Sequence, residues 1–179
     1  MNILALDIAT KCGFAYGELE TLQTGTWNLT PRRDESKGMR LIRLQAKLNE
    51  LREYGVGLLV FEAVRAAGGH LNAAIVQAEI QGVVKAWAET AGIEYRGYSS
   101  SEIKRFATGK GNAKKQDMIH AAIHKFGREV ADDNEADALA LWHLAWSEYA
   151  DTSFPQAAAG EAEPLNKPAT KQGKENADH

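Results

Sequence analysis

The sequence predicts an α/β domain built on a five-stranded mixed sheet, three antiparallel meander strands followed by two parallel strands, with helices on both faces. Three observations predict it. The short apolar runs "NILALDI" (2–8) and "VGLLVFE" (56–62) have the length and the Ile/Leu/Val content of buried strands. Segments with aromatic or β-branched residues and Gly punctuation follow the first run directly, as hairpins do. Farther along, helical patterns alternate with strands, which covers a sheet on both sides.

The elements follow in order. "CGFAYGELE" and "LQTGTWNLT" read as the second and third strands, and "PRRDES" as a break that leads into a helix. From Ser36 to Tyr54, Leu41, Leu44, Leu48 and Leu51 recur at helical spacing with Arg40, Arg43 and Lys47 outside them. After the fourth strand, residues 70–91 form a helix with Leu71, Ala74, Ile75, Ala78 and Trp87 on one side. Its Ala and Gly content allows close packing, either against the sheet or in a dimer interface. "GIEYRGYS" is the last strand, and strands one, four and five are expected to be parallel and central. "SSSEIKRFA" opens a helix with a Ser cap and an acid. Helices over 114–127 and 134–149 complete the domain, residues 1–150. The segment 151–179, rich in Ala, Pro, Lys and Glu, holds little that forms a core and reads as a disordered tail.

The bulk composition excludes several classes. The single cysteine, Cys12, permits no internal disulfide and points to a reducing compartment. No stretch approaches the ~18–20 apolar residues of a membrane span. The start has neither the basic region nor the cleavage site of a signal peptide. The expectation is a cytoplasmic protein with no membrane partner. The net charge of −3 conceals an asymmetry. Between Ile103 and Arg128 lie Lys104, Arg105, Lys110, Lys114, Lys115, Lys125 and Arg128, opposed only by Asp117. The next nine residues hold Glu129, Asp132, Asp133, Glu135 and Asp137 and no base. Charge alone fits two solvated helix faces of opposite sign. It also fits a basic stretch beside a cation site.

Three acids sit where elements end. Asp7 lies among Leu4, Leu6 and Ile8, where an unpaired charge costs several kcal/mol. Glu62 closes "LLVFE", and ligands of open α/β sheets collect at the carboxyl ends of strands. Asp137 lies in the first turn or so of the last helix. Each alone has an ordinary reading as a structural hydrogen-bonding group or a helix-terminus charge. Together, with no His or Cys partner, they suit the hard cations Mg²⁺ or Mn²⁺. Two such ions about 4 Å apart activate water against a phosphodiester and stabilise its leaving oxygen.

With these residues in view, the chain resembles the RuvC family of Holliday-junction resolvases, within the ribonuclease H-like superfamily, over roughly residues 1–149. "LALDIATKCGFAYGEL" resembles the family's first strand with its Asp and, six residues on, Gly13. "LLVFEAV" resembles the second motif. "SEIKRFATGKGNAKKQDM" looks like the Gly-x-Gly-x-x-Lys stretch, and "NEADALALW" is similar to the last Asp-Ala-(Leu/Ile)-Ala motif. "DDNEADALAL" is similar to phage and prophage members. The resemblance implies an RNase H-like fold and a two-metal endonuclease that cuts four-way junctions and other branched DNA as a homodimer. The product would carry a 5′-phosphate and a 3′-hydroxyl. Asp7, Glu62 and Asp137 would hold two Mg²⁺ or Mn²⁺ ions. Lys115 and Lys104 match family lysines near the scissile phosphate, and Lys110 and Lys114 join them as DNA contacts.

Two positions depart from the family pattern. The fourth acid, three residues before the last, is here Asn134, which retains a carbonyl oxygen as a ligand. Asp133, one residue earlier, shares its helix face. An aromatic of some cellular members, three residues after the Glu, is here Arg65, a residue that stacks on bases and binds phosphate. Three other classes compete. A first phosphate motif of actin-type and sugar-kinase ATP-binding proteins also resembles "LDIATKCGFA", with Thr10 and Gly13. Those proteins need a second domain and a second glycine-rich loop, which the sequence does not supply. A branched-DNA-binding protein without cleavage, and a resolvase-like nuclease acting on RNA, remain as alternatives.

Overall fold

The computed structural model describes residues 1–64 and 71–149. Arg65 and the tail from 151 lie outside the described residues. The strands are β1 (Ile3–Asp7), β2 (Lys11–Gly17), β3 (Gln23–Asn28), β4 (Leu58–Glu62) and β5 (Glu94–Tyr98). The helices are α1 (Met39–Glu53), α2 (Leu71–Ala91), α3 (Ser100–Thr108), α4 (Lys115–His124) and α5 (Asp133–Tyr149). The sheet runs β3-β2-β1-β4-β5. β1–β2 and β2–β3 pair antiparallel, and β1–β4 and β4–β5 pair parallel. The mixed meander-then-parallel sheet is therefore as the sequence predicts.

Strand periodicity divides the interior. Alternate residues of a strand face opposite sides. Ile3, Ala5, Leu58 and Val60 face α3, α4 and α5, while Leu4, Leu6, Leu59 and Phe61 face α1 and α2. α5 is apolar nearly all round, from Ala136 through Leu139 and Trp142 to Ala145, because it lies between the sheet and the α3–α4 pair. Trp142 is wholly buried and its indole N–H donates to the Gly17 carbonyl at 3.2 Å. α3 begins with a reciprocal cap: the Glu102 amide donates to the Ser99 hydroxyl, and the Ser99 amide to the Glu102 carboxylate.

Three expectations are corrected. β5 is an edge strand rather than a central one, and residues such as Glu94, Arg96 and Gly97 are exposed on it. Arg40 is buried rather than outside α1, its stem packed inward while Nε donates to the Lys37 carbonyl at 2.9 Å. In α2, Ile80, Val84, Trp87 and Ala88 meet the sheet, whereas Leu71 and Ile75 are 74% and 47% exposed. The first half of α2 thus overhangs the core. Among the described residues no helix is long and apolar enough to cross a membrane.

Candidate active site

Asp7 and Glu62 each occupy the last position of a strand, and register brings them together. Leu6 pairs with Phe61 in the parallel β1–β4 ladder, so the residues that follow, Asp7 and Glu62, leave neighbouring strands side by side. Both share the parity of Ala5 and Val60, so both belong to the α5 side of the sheet.

The start of α5 is fastened over the same place by residues that do not join the carboxylates. Asp132 caps the helix, its Oδ1 accepting from the Glu135 amide at 2.9 Å and from the Thr26 hydroxyl at 2.8 Å. Glu135 is buried and accepts from the Thr24 hydroxyl at 2.6 Å and the Ala131 amide at 2.8 Å. These two acids tie α5 to β3. Opposite Asp7 in the β1–β2 ladder stands Gly13, and a Cβ built there would lie 1.9 Å from the Asn134 carbonyl oxygen. The missing side chain is what lets the first turn of α5 settle on β2 and carry Asp137 to Asp7.

The electrostatics record that convergence. Burial, then the charges of Asp137, Glu62 and Asp133, hold the Asp7 carboxyl well above the ordinary carboxylate range. Burial first and Glu62 next push Asp137 up to about 6, with Lys104 and Lys115 opposing. Glu62 is raised by burial, offset by Lys104 and the Ser100 hydroxyl. Asp137 Oδ1 is buried without a hydrogen-bond partner. A buried polar atom ordinarily has a partner, so this oxygen calls for a positive one. Lys115 forms an ion pair with Asp133, which raises the Lys115 ammonium together with the charges of Asp137 and Asp7. Beside Glu62 opens a cleft of about 160 Å³ lined by Ile8, Val64, Gln77 and Ser100.

The expected residues distribute as follows. Asp7, Glu62, Asp137, Lys104 and Lys115 come together. Asn134 lies in the same turn, but its side chain engages Asp132, and Asp133 is the residue whose charge acts on Asp7 and Asp137. Lys110 lines a different groove, between α3 and α4. Lys114 is exposed at the N-terminus of α4. Sequence reasoning missed Ser100. The triple serine at the helix start was the signal: Ser99 is consumed as the cap, which leaves Ser100 toward Glu62.

The donors are all carboxylate oxygens, and one is orphaned, so the residues fit a hard divalent cation in kind. Among the described residues, no three His, Cys, Asp or Glu side chains are grouped to hold an ion as they stand.

A mixed five-stranded sheet in this order, flanked by helices, is the fold of the ribonuclease H-like class. Within that class, the family model of the crossover junction endodeoxyribonuclease RuvC matches residues 9–144, and the chain belongs to that family. Divalent-metal dependence is general in the family. Among curated relatives, the RuvC of Anaeromyxobacter sp. strain Fw109-5 is 37% identical over 120 residues, 65% of this chain and 58% of that one. The RuvC of Anaeromyxobacter sp. strain K is 35% identical over 98 residues, 54% of this chain and 51% of that one. The chain thus spans little more than half the length of these relatives. A solved T. thermophilus RuvC in complex with Holliday junction substrate superposes with a TM-score of 0.64 at 21% identity, covering 79% of this chain and 90% of the other. A second Thermus thermophilus RuvC structure gives 0.62 at 20% identity, covering 83% and 96%. At these identities the likeness is one of fold.

Proposed function

We propose that the chain is a metal-dependent, structure-selective endonuclease that cleaves four-way junctions and other branched DNA. The observation that carries this is the orphaned Asp137 oxygen among carboxylates whose protonation burial and mutual charge favour. A site that repels its own charges is one built to receive positive charge. Family membership supports the substrate class.

Asp7, Glu62 and Asp137 would hold two Mg²⁺ or Mn²⁺ ions. The ions, when bound, supply activation of water and a clamp on the phosphodiester's oxygens. The chain's residues do the rest. Lys104 and Lys115 set positive charge beside the phosphate, where negative charge grows in the transition state. A water oxygen bonds to phosphorus, the bond to the 3′ oxygen breaks, and the proton passes to that oxygen, giving a 5′-phosphate and a 3′-hydroxyl. Arg65, Lys110 and Lys114 serve as backbone contacts. The overhanging face of α2, Leu71 and Ile75, serves as a homodimer interface. Residues 1–150 act as the nuclease domain, beside a tail that takes no part in its core.

The test is a labelled four-way junction, a fork, a linear duplex and a structured RNA, each with Mg²⁺, Mn²⁺ and EDTA. Paired metal-dependent nicks on the junction establish the reading. Tight junction binding without cutting under any metal would establish a binding protein instead, and cutting of RNA alone a processing nuclease.

Three variants resolve two roles. Lys115→Ala should lower the single-turnover rate about a hundredfold with junction affinity changed much less, because its charge is used mainly in the transition state. Equal losses in rate and affinity would make Lys115 a plain phosphate contact. At the fourth ligand position, Asp133→Asn should raise the Mg²⁺ concentration needed for half-maximal cleavage more than Asn134→Ala does. The reverse order would return the role to Asn134.

A further inference from the structure

Away from the carboxylates, α3 and α4 enclose an open groove of about 360 Å³. Its floor includes the small residues Ala107 and Ala121, and its walls carry Thr108, Lys110, Asp117, His120, His124 and Lys125. Each feature has a local cause. Gly109, with φ +81°, ends α3 in the left-handed conformation and swings Lys110 round toward the groove. His120 and His124 lie one helical turn apart on α4, their ring centroids 4.1 Å from each other, and both are exposed. The Lys125 ammonium donates to the Phe106 carbonyl and stands 4.4 Å from the Phe106 ring centre. That fixes a cation at one end.

The charge balance selects the ligand. Two lysines against Asp117 leave the groove at +1 with neutral imidazoles and at +3 with both protonated. Asp117 is partly committed elsewhere, its Oδ2 accepting from the Lys114 amide at 2.8 Å. Behind α4, α5 contributes His143. Burial, with Arg128 and Lys125, holds it down to about 4, so it stays uncharged above pH 5. Among the groove-lining residues, His120 and His124 face each other, two lysines and one half-engaged acid. A groove of this charge, open along its length and floored by alanines, suits a phosphodiester backbone. Closely spaced imidazoles become donors as they protonate.

We propose that the α3–α4 groove is a second DNA-backbone site, distinct from the carboxylate cluster, whose grip strengthens as His120 and His124 protonate. It rests on the reading of the chain as a DNA-acting protein and adds to it a surface that holds a duplex arm and tunes that hold with pH.

The test is anisotropy of a labelled linear duplex in EDTA at pH 5.8 and 7.8, for the wild type and for His120→Asn/His124→Asn. The carboxylates near Asp7 titrate in both proteins, so the difference between them isolates the two histidines. The wild type should gain roughly fivefold more affinity on acidification than the double variant, the scale of two exposed charge contacts. Lys110→Ala should weaken binding at both pH values. An equal pH response in the two proteins overturns the proposal. So does a titration in which the His120 and His124 imidazole NMR signals of the wild type fail to move on adding duplex, a readout that needs no variant to fold. Four-way junction cleavage, measured alongside, separates the two claims. Cleavage with no histidine effect removes the groove alone, and a histidine effect without cleavage removes the nuclease alone.

Discussion

Asp137→Asn should all but remove cleavage and, in the same protein, raise the melting temperature of the metal-free chain at pH 7.5. The loss of activity should reach about a thousandfold, the scale of removing one preorganised electrostatic partner of the transition state. The gain in stability follows from the sign of the pKa displacement. Asp137 is raised from 3.8 to about 6 by burial and by Glu62. A raised carboxyl contributes stability that is complete below its unfolded value and lost as pH rises through its folded value. The raised Asp137, Asp7 and Glu62 carboxyls therefore favour the metal-free protein at pH 5 over pH 7.5, while His143, held down to about 4, opposes them over the same interval. The Asp137 contribution is thus read as the difference in pH response between wild type and variant. The displacement of Asp137 is equivalent to at most about 3 kcal/mol, or about 5–10 °C for a chain of this size. An Asn amide carries no charge and places a donor where Asp137 Oδ1 has none. Mg²⁺ should stabilise the wild type at pH 7.5 and the variant far less, since binding to the native state alone raises stability by mass action. Thermal melts at the two pH values, with and without Mg²⁺, check this. Coincident melting of the metal-free proteins at both pH values would mean that the carboxylates do not strain one another.

How much of this was legible in the sequence depends on whether a feature is local. The strands and their order rest on short apolar runs and Gly punctuation, and "SSSEIKRFA" announced its cap. Asp7 and Glu62 were legible as acids at strand ends. That they face the same side follows from the parity of "LALD" and "LVFE", though the one-residue register that sets them side by side is tertiary. The misplaced residues share a cause. Arg40 was put outside because periodicity treats a charge as polar throughout, while its stem packs inward. For Leu71 and Ile75 periodicity gives a shared helix side but not whether that side meets the sheet or another copy, because it cannot see where the sheet stops. β5 was expected to be central although "EYRGY" carries the exposed polar residues of an edge. Asn134 and Asp133 both sit on the Asp137 face by spacing. What separates them is their partners: the Asn134 side chain engages Asp132, whereas the charge of Asp133 acts on Asp7 and Asp137.

Gly13→Ala should be the most damaging single methyl group in the molecule. The added Cβ would lie 1.9 Å from the Asn134 carbonyl oxygen and 2.4 Å from its carbon, and 3.2 Å from the Ala138 Cβ. The first two neighbours are backbone in the capped first turn of α5, so no side-chain rotation relieves the contact. Either β2 bends or the helix start lifts. Lifting it strains the Thr26–Asp132 and Thr24–Glu135 hydrogen bonds and displaces Asp137 from Asp7. Overpacking of a tight contact costs about 1–3 kcal/mol. With the attached hydrogen bonds, a loss of about 3 kcal/mol or more is expected, a fall of about 10 °C in melting temperature. The functional consequence is separate and sharper. Where the variant is still folded, cleavage should fall at least about a hundredfold, because an error of about 1 Å in positioning has that effect on a reaction held by geometry. Duplex binding should persist, since the α3–α4 groove does not touch Gly13. A variant that melts and cleaves like the wild type would show that α5 does not bear on β2 at this point. The path by which Asp137 reaches Asp7 would then have to be redrawn.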